Sequence, residues 1–310
     1  MKYMNRLLLI VLISVFYSCE EKMTEVEIAQ IGIAPCLTLA PFIKKLEFDP
    51  ARSQLSSQEP GFMGLVLVQF PRNEADSASR KTYQDRSWSQ YGWMGIITSD
   101  IDGNTYTFPF PKGNTPVSPL SQMNKIYKVD TETGNMAVLT ELPKADSGAG
   151  VVPFAVLGIY YDCHGKKIYA SSVAGSTAAK EKGVIYALDP ENGDIVDKLE
   201  GHDAMGVFVG GVTGEKRLYF GSARSSDIYS VELTKNGKFK GDVRKEFTLK
   251  SLGPRGNDKA ARIRFDANGN MMVYGVEFNY GLAGQSEKTE TLYQFTFEKS
   301  SKRWVVIQGR

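Results

Sequence analysis

GIYYDCHGKKIYAS, residues 158–171, reads as two short apolar strands joined by a tight turn at Asp162-Cys163-His164-Gly165. The shape recurs as GIITSDIDGNTYTF from Gly95, GVFVGGVTGEKRLYFGS from Gly206 and RIRFDANGNMMVYGV from Arg262. The turn glycines Gly103, Gly165, Gly214 and Gly269 lie 62, 49 and 55 residues apart. Asp-Gly and Asn-Gly pairs suit such turns because they accept positive φ. A second shape follows each copy: IYKVDTETG from Ile126, IYALDPENG from Ile185, IYSVELTKNG from Ile228 and LYQFTFEKS from Leu292. Closing strands then run over Met136–Leu142, Ile195–Leu199, Val243–Leu249 and Trp304–Ile307. Each unit is therefore four antiparallel strands, and helical periodicity is nearly absent.

Four-stranded units repeating at about 40 to 60 residues are blades of a β-propeller. One blade has two apolar faces and cannot cover both alone, whereas stacking blades around an axis covers each by a neighbour. Residues 28–92 hold strand-like runs at Ile43–Phe48 and Gly64–Phe70 and an aromatic stretch at Trp88–Trp93, enough for one irregular blade. The fold expected is all-β with five blades by repeat count, or six if the two chain ends share strands. The turns DIDGN and DPENG, set beside Tyr-rich strands over residues 95–310, resemble blades of the NHL, quinoprotein-like and gluconolactonase-like propellers. That resemblance implies a fold and no particular chemistry.

The N-terminus carries an address. Lys2 and Arg6 precede an apolar run, Leu7–Tyr17, interrupted only by Ser14. As a helix the run spans about 16 Å, too short for a bilayer core of about 30 Å. This is the form of a secretory signal. It ends Ser18-Cys19-Glu20-Glu21, which resembles the lipobox of bacterial lipoproteins, although Phe16 and Tyr17 are bulkier than usual there. The resemblance implies an acylated Cys19 and attachment to the bacterial envelope, at the outer membrane, facing the periplasm or the surface. The acidic residues that follow resemble export signals of the Bacteroidetes group. The organisation expected is a signal peptide over 1–18, a lipid-anchored tether over 19–29 and one propeller domain over 30–310.

Composition narrows the function. A chain that is 42% hydrophobic and 23% charged builds a core. The formal charge is +2, and removal of Lys2 and Arg6 with the signal leaves no net charge, unlike a nucleic-acid binder. Two histidines and no Cys/His spacing argue against a metal site, and no cofactor motif occurs. Cys36 and Cys163 remain after Cys19; their separation gives no reason to pair them, so two buried thiols are favoured over one disulfide.

The a–b and c–d turns are tight, so the long b–c loops and d–a links gather at the opposite end. They include Pro111–Lys125, Pro143–Leu157, Ser172–Gly183 and Glu277–Glu290. Loops concentrated on one end mark a binding face. Trp93, Phe154, Asp203 and Arg262 fall where inner strands begin, and Arg224, Arg255, Asn279 and Tyr280 fall in loops. Trp93, Asp203, Arg224, Arg255, Arg262, Asn279 and Tyr280 are the candidate ligand-binding set. Aromatic and arginine side chains suit glycan, peptide or carboxylate ligands. Arg262 stands out, because a charge opening an apolar inner strand needs a partner or water. Asp100, Asp162 and Asp266 are expected to cap turns. The function expected is non-enzymatic binding of a small molecule, glycan or protein; the alternative is a metal-dependent lactonase or hydrolase drawing on Asp203, Asp266, Glu277 and Asn279.

Overall fold

The computed structural model describes residues 23–33, 38–111, 117, 119–144, 154–281 and 289–309. Five antiparallel sheets form the blades of a β-propeller. Blade 1 has three strands, β1 (Ser53–Ser56), β2 (Val66–Gln69) and β3 (Lys81–Tyr83). Blade 2 comprises β4 (Thr98–Ser99), β5 (Thr105–Thr107), β6 (Lys125–Val129) and β7 (Met136–Glu141). Blade 3 comprises β8 (Val156–Asp162), β9 (Lys167–Ser172), β10 (Val184–Leu188) and β11 (Ile195–Glu200). Blade 4 comprises β12 (Ala204–Gly210), β13 (Arg217–Ser222), β14 (Asp227–Leu233) and β15 (Phe239–Thr248). Blade 5 comprises β16 (Lys259–Phe265), β17 (Met271–Val276), β18 (Thr291–Glu298) and β19 (Arg303–Gly309).

The repeat grammar places all sixteen strands of blades 2 to 5. Among the described residues no sheet mixes strands from the two ends of the chain, so the count is five. Blade 1 departs from expectation at Ile43–Phe48, where Pro41–Lys45 forms a short helix, α2, instead of a strand. Pro41 sits in its first turn, where a missing N–H costs nothing, and Phe42 and Ile43 are buried side by side. Trp88 lies in a helical turn and is fully buried.

Hydrophobic clusters seal four successive seams. Leu55, Leu67 and Trp88 of the blade 1 region pack with Tyr127, Val129 and Met136 of blade 2. Tyr106 and Ile126 meet Ile159, Tyr161 and Ile168 between blades 2 and 3. Tyr169, Ile185 and Ala187 meet Val207, Val209 and Leu218 between blades 3 and 4. Phe208, Tyr219 and Ile228 meet Ile263, Phe265 and Trp304 between blades 4 and 5. Large aromatics also close the first three seams with a polar contact. Trp88 Nε1 donates to Gly134 O (2.7 Å), Tyr106 OH to Pro190 O (3.2 Å) and Tyr169 OH to Gly237 O (2.6 Å). Each acceptor lies in the c–d turn of the next blade.

The inner strands approach one another through backbone. A Cβ on Gly158 of β8 would stand 2.1 Å from Met205 O of β12, and one on Gly206 would stand 2.8 Å from Ala261 C of β16. Glycine opens these repeats because a neighbouring strand occupies the side-chain position. A buried ion pair, Lys216 Nζ to Asp162 Oδ2 at 2.6 Å, ties the a–b turns of blades 3 and 4.

The N-terminal segment runs beneath those turns. Thr24 caps α1 (Glu25–Gln30) in a reciprocal capping box with Glu27. Gly211 N–H donates to Ile31 O (3.2 Å), Ile31 is buried among residues of blades 3 and 4, and Met23 packs on the same cluster. The folded body thus takes in residues read from sequence as tether. Cys163, expected to be a buried thiol, is disulfide-bonded. Its partner must be Cys19 or Cys36, and both lie outside the described residues. The sequence separation was misleading because the N-terminal segment passes under the a–b turns, one of which holds Cys163.

Gly158→Ala should destabilise the protein by about 2 to 3 kcal/mol through overpacking at the blade 3–4 seam. Urea unfolding followed by circular dichroism measures it, and a wild-type midpoint would contradict the seam geometry.

Candidate functional site

The loop end of the axis is filled with aromatic side chains. Phe110, Phe154 and Phe278 follow one another at ring-centroid distances of 5.9 and 5.4 Å, and Leu157, Met205 and Ala261 of three inner strands pack with them. Trp93 is half-buried beside blade 2, and its carbonyl accepts from Phe110 N–H (2.9 Å). Parts of the long loops, residues 112–116, 118, 145–153 and 282–288, lie outside the described residues.

Three sequence candidates converge around a buried carboxylate. Asp203 Oδ2 accepts from Arg224 Nη1 (2.9 Å) and from the Tyr280 hydroxyl. Its Oδ1 accepts from Gly183 N–H (2.8 Å) and from Ser176 Oγ. Arg224 also donates to the carbonyls of Thr177 (2.9 Å) and Ala178 (2.7 Å). Burial and the Asp203 carboxylate raise the Tyr280 hydroxyl above the ordinary tyrosine range, which keeps it a donor. This hub binds the b–c loops of blades 3, 4 and 5 together. Its carboxylate oxygens each accept two hydrogen bonds, so the hub is built to hold loops.

Arg255 makes a second hub. Its Nε and Nη2 grip both oxygens of the buried Asp258, Nη2 at 2.9 Å, while Nη2 also reaches Thr291 Oγ1 (2.8 Å) and Gly275 O (3.1 Å). The Tyr293 hydroxyl donates to Asp258 Oδ2 (2.8 Å); burial and that carboxylate push its pKa up to about 12. Burial alone would raise the Asp258 carboxyl, but the hydrogen bonds from Arg255 and Tyr293 outweigh it and hold the carboxyl below its usual range. Asn279 is exposed, and its Oδ1 accepts from Gly281 N–H (2.9 Å).

The turn aspartates behave as their sequence positions imply. Asp100 accepts from the N–H groups of Asp102 and Asn104 and from the Tyr106 hydroxyl. Asp162 accepts from His164 and Gly165 N–H, and Asp266 from Asn268 and Asn270 N–H. Asp266 therefore stands at the opposite end from Asp203, and the structure does not bring those two together. Among the described residues no three His, Cys, Asp or Glu side chains gather as metal ligands.

Arg262 differs from the two saturated arginines. Its Nη2 pairs with Glu290 Oε2 (2.7 Å), its guanidinium lies 4.0 Å from the Tyr274 ring centroid, and its Nε is buried with no acceptor. Arg264 is on the same face, two residues along β16, 4.8 Å from the same ring and bonded to the Tyr274 hydroxyl. Arg264 is exposed and makes no close ion pair among the described residues, although the Glu290 carboxylate attracts it from a distance. Partial burial, and then the positive charge of Arg262, lower its pKa from the arginine value. Ile263 and Phe265 point the other way, into the seam with blade 4.

Arg262 occupies the repeat position held by Gly158 in blade 3 and Gly206 in blade 4. At those positions the next inner strand presses on the backbone. Blade 5 is the last blade, and among the described residues no hydrophobic cluster joins its far face to blade 1. An arginine replaces glycine where, among the described residues, no inner strand closes in. Sequence reading found Arg262 and missed Arg264 and Tyr274. The signal was Arg262-Ile263-Arg264: in a strand, side chains alternate between faces, so the two charges share one.

No protein-family model matches this sequence, and no curated protein matches it. Solved structures with a similar chain path include a glucose dehydrogenase (12% identity, TM-score 0.42, covering 77% of each chain). TolB from Acinetobacter baumannii matches at 15% identity and TM-score 0.43, with 79% of this chain against 49% of that one. The β-propeller domain of the trilobed protease from Pyrococcus furiosus matches at 12% identity and TM-score 0.39, covering 82% and 71%.

The depressed Asp258 carboxyl sets a pH dependence. Its contribution is fully present above the unfolded value of about 3.9 and is lost as pH falls through the lower folded value. Asp258→Asn should therefore be less stable than wild type at pH 7, with the gap narrowing on acidification below about pH 4. Melting temperatures between neutral and acid pH check this; a constant gap would contradict it.

Proposed function

We propose that this protein is an envelope-anchored binding module, held through Cys19, that takes anionic ligands on the far face of blade 5. The carrying observation is the Arg262–Arg264 pair over Tyr274. Two guanidinium groups share one aromatic platform, and only one makes a close ion pair among the described residues. A carboxylate-bearing ligand would relieve the repulsion between them and accept from the exposed Arg264 guanidinium. A planar or sugar-ring body could rest beside Tyr274, with the exposed Leu292 on the same face. The binding role is non-enzymatic: the best-placed acid, Asp203, spends its oxygens on loop contacts.

The anchor reading rests on the N-terminal sequence. A disulfide at Cys163 fits an oxidising compartment outside the cytoplasm. With Cys19 acylated, the chain's third cysteine, Cys36, would be the one left to pair with Cys163.

Two measurements follow. Non-reducing peptide mapping should join Cys163 to Cys36 and find lipid on Cys19; a Cys19–Cys163 link would overturn the anchor. Polygalacturonate, compared with neutral dextran, should bind the wild-type protein in a salt-sensitive manner. Arg264→Ala and Arg262→Ala should each weaken that binding about tenfold, the scale of a lost charge-assisted hydrogen bond. Equal binding by wild type and both variants would overturn the site.

A further inference from the structure

The N-terminal segment meets the turns of four blades, all at the same end of the propeller. At α1, Glu27 lies within electrostatic reach of Lys235, in the c–d turn of blade 4, and of His164, in the a–b turn of blade 3. Ile28 presses its carbonyl on Gly211 of blade 4, where a Cβ would stand 1.7 Å away, and Ile33 lies against the a–b turn of blade 5 at Gly269. Thr38 and Ala40 lie beside Gly103 of blade 2, and Phe42 N–H donates to Thr131 O (3.2 Å).

Cys19 precedes Met23 by four residues. Four residues, fully extended, reach at most about 14 Å. The inner strand β8, with seven residues, is about 23 Å long. If the loop end rested on a bilayer, Met23 would stand farther above it than the anchor reaches. That leaves the turn end or a flank. The flank beside α1 is β15, whose exposed side chains are Lys240, Asp242, Arg244 and Lys245. The turn end shows apolar side chains instead. Val26 of α1 is the most exposed large apolar side chain among the described residues (74%), and Leu39 is 51% exposed. Lys166, Lys235 and Lys238 are exposed in the two turns next to α1. The exposed acids Glu132, Glu191 and Asp194 belong to the c–d turns of blades 2 and 3, not to that of blade 4. Apolar side chains beside lysines are what a protein lying on phospholipid headgroups presents.

Resting on the reading that Cys19 is acylated, we infer that the turn end is the membrane-facing surface, with Val26, Leu39 and these lysines seated among the headgroups of the bilayer that holds the anchor. The long loops then point away from the membrane. The Arg262–Arg264 face of blade 5 stands upright on it, open to ligands from the side.

The test uses the full chain purified from membranes, with the lipid on Cys19 verified by mass spectrometry. It is reconstituted into vesicles of equimolar phosphatidylcholine and phosphatidylglycerol carrying a headgroup-linked quencher. Single cysteines are introduced for a fluorophore: Leu39→Cys and Ser300→Cys at the turn end, Asp242→Cys on β15 and Lys180→Cys in the b–c loop of blade 3, all at exposed positions. The labels at Leu39 and Ser300 should lose most of their fluorescence, the label at Asp242 less, and the label at Lys180 none. Quenching at Leu39 and Ser300 no greater than at Asp242 or Lys180 overturns the seating and leaves the anchor standing. A chain without lipid on Cys19 overturns the anchor, and the seating with it.

Discussion

Successive inner strands of this propeller touch through bare backbone, and that close approach governs the rest of the molecule. Where β8 meets β12 and β12 meets β16, no side chain fits at Gly158 or Gly206. Blades drawn that near must bury both faces, and the inner strands β8 and β12 accordingly carry almost unbroken apolar runs. The outer strands, farther from the axis, turn to charge. Aromatic side chains then bridge the widening gap, spending their one polar atom on a carbonyl of the next blade's turn. The Lys216–Asp162 pair performs a similar service where two turns meet out of water.

The same constraint explains where the molecule is open. Glycine gives way to Arg262 in the last blade, and β16 alternates where β8 and β12 do not. Its apolar side closes on blade 4 and its charged side faces away. The loop end, by contrast, is occupied by its own side chains: an aromatic plug on the axis and two arginine–aspartate hubs beside it. Arg224 and Arg255 each donate to several protein acceptors, whereas Arg262 and Arg264 retain donors for something else.

Much of this was legible in the sequence. The hairpin glycines, the Ile-Tyr strand openings and the polar c–d turns placed four blades, because turn chemistry is local and repeats expose it. Blade 1 was less legible: Ile43–Phe48 has the composition of a strand, but Pro41 and the burial of Phe42 beside Trp88 make it helical. The clustering of Asp203, Arg224 and Tyr280 could be suspected from loop positions, yet only coordinates show that the three saturate one another. Arg264 and Tyr274 were hidden because they sit inside strands, where the apolar alternation of their neighbours dominates the pattern. The disulfide at Cys163 was hidden because pairing depends on the path of the N-terminal segment beneath the turns.

The central claim is that blade 5 presents available guanidinium groups while the loop-end arginines are consumed by the fold. Arginine-selective labelling of the native protein with phenylglyoxal, read by peptide mass spectrometry, tests it directly. The account predicts fast modification of Arg264, then Arg262, with Arg224, Arg255 and the buried Arg217 protected until the protein unfolds. Rapid modification of Arg224 and Arg255 with protection of Arg264 would contradict it.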